Sequence, residues 1–411
     1  MIQLYKMALR DLGRNRRRTF FSILALAFGV ALLIFMASFI AGEMRGAMQT
    51  SIKLQTGHLQ VRAASYNEDK TSLKWEDLIE NPEALAAQIA ARPEVQAATP
   101  RLYATGIVVA GDTSTGVRVI GIDPASAASA PFRDGMVSGS YLTADDRGGL
   151  LMGQTLADKL KSASGKKLAP GDTINLLVNT SNGDVDQQSF VIRGLFSTDT
   201  PGYDESTIFL PLAKAQAITR TEKHASVIFI LLKDQNQTDA VAAALQAPAY
   251  QVKTYIQLNT LLGEFEQFAN VYMYIFYLIV LGITATVIIN TLIMSVFERT
   301  REIGILAAMG MRGGRIMAMF FAESSLLAVG GIAIGVVLGS LLSAYVQRYG
   351  FFIGNMGITG ILIGERIYTY LTLNDIVTLT ILAFVITLVA SLYPAMLAAR
   401  MDPVEALHGG K

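Results

Sequence analysis

The sequence predicts an α-helical membrane protein with four transmembrane helices and a large α+β domain of two subdomains, inserted between the first helix and the second. Three observations predict it. The 411 residues are 52% hydrophobic and 16% charged, with a mean hydropathy of +0.40. That is too apolar for a chain wholly in water and too charged for a bundle wholly in lipid. Four apolar runs can each cross a hydrocarbon core of about 30 Å at about 1.5 Å per helical residue. Between the first two runs, residues 42–268 mix alternating and helical segments over a length that permits two subdomains.

Residues 1–19 carry Lys6, Arg10, Arg14, Arg16, Arg17 and Arg18. Leu4, Ala8 and Leu12 fall on one helical stripe and Lys6, Arg10 and Arg14 on another. This fits a short amphipathic helix along an anionic membrane surface, or a plain positive-inside signal. The first span, 20–41, exceeds the apolar stretch of a signal peptide and reads as a retained anchor with a cytoplasmic N-terminus.

In 42–268, alternation marks strands at Gly106–Ala110, Gly116–Ile122, Thr173–Val178, Gln188–Leu195, Thr207–Leu210 and Val227–Leu232. Helices are predicted at Pro82–Ala91, capped by Asn81, and at Leu156–Leu160, Ala213–Ile218 and Thr238–Leu245. A helix, two strands, a long excursion, then strand, helix and a last strand near Tyr250–Ile256 implies one subdomain inserted into another. The remaining segments are a second span at 269–296, a cytoplasmic segment at 297–315, a third span at 316–346, an outer loop at 347–374, a fourth span at 375–399 and a cytoplasmic tail at 400–411. Gly331, Gly335 and Gly339 strip one face of the third span for close helix packing. Arg299, Arg301, Arg312 and Arg315 join the N-terminal cluster on the inside, whereas the short outer loop offers Arg348 and Arg366.

The formal net charge is +1 with the basic residues clustered, which gives no footprint for nucleic acid. The absence of cysteine excludes disulfides, thiolate metal sites, thiol catalysis and a lipidated N-terminal cysteine. His58, His224 and His408 are far apart, and no paired-histidine metal motif occurs, so no metal site and no catalytic set are expected. Gly165-Lys166 fails as a phosphate loop, because Leu160 stands where a glycine is needed and Lys167 where Ser or Thr is needed. Glu323 in the third span is either a functional carboxylate or the partner of a neighbouring helix end.

The stretch 297–315, FERTREIGILAAMGMRGGR, organises the rest. Ile303, Leu306, Ala307 and Gly310 share a helical stripe. Ahead of it, Glu298 with Arg301 and Arg299 with Glu302 are spaced for i,i+3 support. Gly310, Gly313 and Gly314 are expected to break the helix. Spacing alone leaves two readings: a helix held by another protein, or an ordinary basic loop.

Three segments carry a family resemblance. FERTREIGILAAMGMRGGRI resembles the signature of the FtsX-like permease family, and ALRDLGRNRRRTFFSILALAFGVAL resembles its opening. SLYPAMLAARMDPVEALHGG resembles its closing motif, with Pro394, Ala398, Pro403, Glu405, Ala406 and Leu407 matching. The outer domain resembles the two-part periplasmic domain of MacB-type and lipoprotein-releasing permeases. The resemblance implies a non-catalytic permease subunit of an ABC transporter in the bacterial inner membrane, with its large domain periplasmic. Two permease chains, alike or different, would pair over two copies of a cytoplasmic ATPase that binds ATP and Mg. Glu298, Arg299, Arg301, Glu302, Ile303, Gly304, Leu306 and Met309 would couple to it.

Such proteins act as mechanotransmitters. The layout is closest to the lipoprotein-releasing branch, which extracts lipoprotein. Acyl chains would then reach the protein between Phe35, Met36 and Phe39 of the first span and Tyr272 and Phe276 of the second. The alternative occupant of those side chains is bulk lipid. The stretch 179–187 is short where the chaperone-docking branch has a long loop. A MacB-like efflux component with a periplasmic adaptor, and an FtsX-like permease activating a cell-wall hydrolase, are the competing readings.

Overall fold

The computed structural model describes residues 2–67, 71–161, 165–354, 362 and 364–402, with only the backbone of 2–5 and 11. The end of the closing motif, with Pro403, Glu405, Ala406, Leu407 and His408, lies outside these residues. The chain divides into two compact units: one holds the residues up to Arg45, Glu266–Phe351 and Ile367 onward, the other Gly46–Phe265 and Phe352–Arg366.

The first unit is helical. It comprises α1 (Ile2–Arg14), most of α2 (Arg16–Ser51) and, further along the chain, four more helices. Four helices of the chain are long and apolar enough to cross a membrane. All four apolar runs are helical, and the first two helices outrun the stretches predicted as spans. Helix α2 continues ten residues beyond 41, through Glu43 and Arg45. Charged residues mark where lipid-compatible sequence ends, but they are good helix formers, so the helix does not end with it.

In the second unit, α2 widens into a single π-turn, Ile52–Thr56, closed by Gly57 at φ 66°. A Cβ at Gly57 would lie 2.7 Å from the Ile230 carbonyl oxygen, so the turn requires glycine. Among the described residues, ten strands of one sheet follow: β1 (Leu59–Ala63), β2 (Val95–Ala110), β3 (Thr113–Ile122), β4 (Met136–Gly139), β5 (Gly149–Gly153), β6 (Thr173–Asn179), β7 (Val185–Phe196), β8 (Thr207–Pro211), β9 (Val227–Leu232) and β10 (Tyr250–Thr254). Helix α3 (Pro82–Ala90) lies between β1 and β2, α4 (Leu212–Thr219) follows β8, and α5 (Thr238–Leu245) follows β9.

The sheet runs β10-β1-β9-β2-β3-β8-β5-β7-β4, and β6 pairs with both β2 and β7. Two architectures follow from those pairings. β1-α3-β2 and β9-α5-β10, with sheet order β10-β1-β9-β2 and antiparallel neighbours, form a split βαβ layer. β2-β3-β8-β5-β7-β6 returns to β2 and closes a six-stranded ring, which leaves those strands without an open edge. The 16-residue β2 serves both: its first half pairs β9, its second half β3 and β6. Separate cores fill them, with Leu59, Val61, Ile89, Ile228 and Ile230 in the layer, and Val108, Val119, Phe190, Ile208 and Leu210 in the ring.

One cap differs from expectation. Asn81 precedes α3 in the left-handed region (φ 46°, ψ 53°) and makes no side-chain cap. The following proline bars it from the right-handed helical region, and asparagine tolerates the left-handed one.

The remaining helices are α6 (Thr260–Glu298), α7 (Thr300–Ala308), α8 (Gly313–Tyr349) and α9 (Leu373–Ala399). The glycine stripe of α8 meets α2. A Cβ on Gly331 would lie 2.7 Å from Leu26, on Gly335 2.7 Å from the Ala27 oxygen and from Val30, and on Gly339 3.0 Å from the Ala31 oxygen and from Ile34. Short polar bonds fasten the same unit: Ser22 with Thr291 at 2.8 Å, and Ser38 with Ser343 at 2.7 Å.

Candidate functional site

The stretch from α6 to α8 is a turn built around Arg299. This residue leaves helical geometry at φ −116°, ψ 14°, ends α6 and starts α7. Because the helix breaks there, the predicted i,i+3 pairs do not form. Three of the four charges find partners on other elements instead. Glu298 accepts from Arg18 at 2.6 Å and from Asn15 at 2.6 Å, both near the start of α2. Glu302 pairs with Arg14 at the end of α1, at 2.7 Å. Arg299 lies 3.7 Å from Glu323 of α8, and the Ser295 hydroxyl donates to Glu323 at 3.3 Å.

The Arg299–Glu323 pair is sequestered, with side chains 5% and 2% exposed. An ion pair so buried costs desolvation and persists only when both ions keep each other company, so it fixes α6, α7 and α8 in register. Of the two roles open to Glu323, the geometry gives the partner of a neighbouring helix end.

The apolar stripe of α7 is corrected in its direction. Ile303 is 1% exposed and packs with Val296, Ile316 and Phe320, and Gly304 is also buried. With Arg299 also buried, these three cannot offer a surface to another protein. What α7 presents outward is Arg301, Glu302, Ile305 and Met309, the last 71% exposed, while Leu306 is half-buried. Gly310 at φ +88° ends α7, but Gly313 and Gly314 open α8 and do not break a helix. First-turn N–H groups lack helical partners in any case, and Gly313 allows α8 to approach Ala399, whose oxygen a Cβ would meet at 2.8 Å.

Arg14, Asn15 and Arg18 are site residues that sequence reasoning missed. They stand within a basic cluster that a positive-inside signal explains equally well, and nothing in the spacing singles them out.

The outer end of α2 is held as firmly, within the second unit. The Leu54 carbonyl accepts from Arg101 at 2.9 Å and from the Tyr203 hydroxyl at 3.2 Å, and both donors are fully buried. Ser51 donates to Asn259 at 2.7 Å, just ahead of α6.

The five residues proposed for side access have different surroundings. Phe39 packs on Phe35 at 5.9 Å and on Phe351, past the end of α8, at 6.0 Å. Phe276 lies against the helical core, Met36 is half-buried, and Tyr272 is 69% exposed. Among the described residues no group of three or more His, Asp or Glu side chains could hold a metal ion.

The described residues thus combine a unit of long apolar helices, with a charged turn between its second and third, and a large mixed α and β unit inserted between its first and second. The family model of the MacB-like periplasmic core domain matches residues 19–247, and that of the FtsX-like permease C-terminal region matches residues 274–403. The chain belongs to this family and is an ABC transporter permease of the LolC/LolE and MacB type. It is 24% identical to the lipoprotein-releasing system transmembrane protein LolE of Haemophilus influenzae, over 94% of this chain and 93% of that one. It is 25% identical to the corresponding LolC of Neisseria meningitidis, over 95% and 94%. The pyoverdine export ATP-binding/permease protein PvdT of Pseudomonas fluorescens is 27% identical over 99% of this chain and 59% of its own.

Proposed function

We propose that this chain is the transmembrane subunit of a mechanotransmitting ABC transporter that extracts lipoprotein, or another amphiphile, from the periplasmic side of the inner membrane. ATP, with Mg, is bound and hydrolysed by a separate ATPase present in two copies, and a second permease chain completes the complex. Both termini lie in the cytoplasm and the second unit in the periplasm.

One observation carries the mechanical part. Helix α2 is uninterrupted from Arg16 to Ser51, about 54 Å at about 1.5 Å per residue. Near its start Arg18 is tied to Glu298, and just past its end the Leu54 carbonyl is tied to Arg101 and Tyr203. A helix fastened at both ends carries displacement of the inner turn outward without a pore. The ATPase would meet Arg301, Glu302, Ile305 and Met309. Similarity to the lipoprotein-releasing permeases over more than nine-tenths of their length favours lipoprotein as cargo.

Efflux through an adaptor is the second reading, favoured by the β6–β7 connection. It is a tight turn at 180–184 that offers no long arm to a chaperone.

The test is a mild-detergent purification of the tagged protein with every accompanying chain identified. A soluble ATPase, a second similar permease and acylated lipoproteins are expected. The same ATPase with this permease alone and an adaptor would move the answer to efflux. Charge reversal at Arg301 and Glu302 should deplete the ATPase, and undiminished recovery would remove the coupling assignment.

A further inference from the structure

Strand β1 runs antiparallel to β9 with Leu59 opposite Ile230. Continued two residues further, the same register sets Leu232 opposite Gly57. There the chain has left the strand for the π-turn that leads out of α2. The side chain of His58 takes up the position, and its Nδ1 accepts from the Leu232 N–H at 3.1 Å. Leu232 is 2% exposed, so its N–H must be bonded or bear the cost of lying buried and unpaired.

The same residue joins a third segment. Its backbone N–H donates to the Ile230 oxygen at 2.9 Å, and its carbonyl accepts from the Tyr255 N–H at 3.0 Å. Its ring meets the Tyr255 ring edge-on, with centroids 6.5 Å apart. Tyr255 follows β10 on the way into α6, and its carbonyl accepts from the Asn259 side chain at 2.7 Å. The oxygen of that side chain accepts from Ser51, the last residue of α2. His58 therefore sits where the exit of α2, the end of β9 and the approach to α6 meet, all within the second unit.

A backbone N–H can only donate, so Nδ1 must keep its lone pair: the imidazole is neutral and carries its proton on Nε2. A second proton would set N–H against N–H and place a charge on a half-buried ring. The elements that meet here carry Lys53, Lys233, Asp234, Lys253 and Tyr255 as titratable groups. Tyr255 touches the ring, and the other four do not shift the imidazole, whose pKa is held below its ordinary value of 6.5 by burial. We infer that His58 is an acid-operated latch: neutral, it ties the exit of α2 to β9, and protonated, it lets that joint open. The closed form excludes the proton that the open form accepts. The latch is thus fully closed above pH 6.5, and below it the ratio of open to closed rises by up to about tenfold per pH unit, until the closed form is charged as well. Weaker transmission along α2 in acid follows if the function proposed above holds; the latch itself does not depend on it.

The experiment is hydrogen–deuterium exchange of the full chain in neutral detergent, read by mass spectrometry on peptides covering 228–236 and corrected for the intrinsic pH dependence of exchange. Between pH 7.5 and pH 5.5 the corrected exchange of wild type should rise about tenfold. His58→Asn, whose side-chain oxygen accepts a hydrogen bond but takes no proton, should abolish the rise, and His224→Asn should leave it. Histidine-selective NMR of wild type gives a second reading, because the chain has three histidines and His224→Asn and His408→Asn assign the other two. The His58 ring should be the Nε2–H tautomer at pH 7.5 and titrate below 6.5. Corrected exchange that does not change with pH, a rise that persists in His58→Asn, or an Nδ1–H tautomer overturns the inference.

Discussion

The two units of this chain are packed by different means. In the outer unit, buried aromatics fill the interior: Phe132, Phe190, Phe196 and Phe209 are at most 1% exposed, and Phe132 and Phe209 stack at 4.1 Å. In the helical unit, glycines bring α8 against α2, with serine and threonine bonds beside them. Water drives large apolar side chains together, whereas lipid is as apolar as leucine and provides no such drive. Helices in lipid must gain from close contact and from satisfied polar groups. Large side chains are thus the natural filling of one unit, and small ones the natural seam of the other.

Substitution at the glycine seam of α8 should therefore be far more damaging than at an open glycine of the other unit. Gly335→Leu puts a side chain into the backbone of α2 at Ala27, and the largest effect is expected there: loss of a monodisperse, folded species on size exclusion. Gly116→Leu in β3 has nothing within 4 Å to meet, and should leave the elution profile as in wild type. A folded Gly335→Leu protein would show that the α2–α8 seam can open, and would undo the contrast.

Next in size is the buried pair at the inner turn. Glu323→Ala takes this carboxylate from beside Arg299 in a dry setting, at a cost of about 3–5 kcal/mol. Thermal denaturation in detergent should show a clear drop in midpoint. Adding Arg299→Leu should recover much of it, because removal of both charges ends the penalty. An unchanged midpoint in Glu323→Ala would mean the pair does not hold the turn.

How far this was legible in the sequence depends on what sets each feature. Apolar runs are dictated by lipid thickness and read directly, as did the alternating strands and α5, whose bounds match the expectation. Partners across sequence did not. Glu298 and Arg301 look like an i,i+3 pair until the break at Arg299, and the choice of Arg18 is made by how α2 and α6 come together. Strand β1 was missed although LQVRA alternates apolar and polar residues, because the alternation lasts only five residues. The ring closure was hidden because it is made by β6 pairing with β2, which is remote in sequence.

In the outer unit a single carboxylate should set part of the pH response. Asp204 is 1% exposed, and burial pushes its pKa up to about 6, although Ser197 and Thr198 donate to it. Between its ordinary value of 3.8 and about 6 the folded form binds more protons than the unfolded one. This contribution is therefore most favourable below about pH 4 and is lost as pH rises through 6, by about 3 kcal/mol in total. Asp204→Asn should flatten the thermal midpoint against pH in that window. A wild-type slope that persists in the variant would assign the response to another group.

The smallest expected effect lies at the surface of the inner turn. Arg14 and Glu302 form a bond of 2.7 Å, but their side chains are 66% and 53% exposed. Solvent screens such a pair, and holding two long side chains in one geometry costs entropy, so its coupling is expected at or below about 1 kcal/mol. Arg18 and Glu298, at 19% and 35%, are less screened and share Asn15. A double-mutant cycle on each pair, read as thermal midpoint at low and high salt, should give the larger and less salt-sensitive coupling to Arg18–Glu298. If Arg14–Glu302 proved the stronger, the turn would be anchored chiefly through α1. The tie between the end of α6 and the long helix α2 would then no longer be the path by which the turn moves the far end of α2.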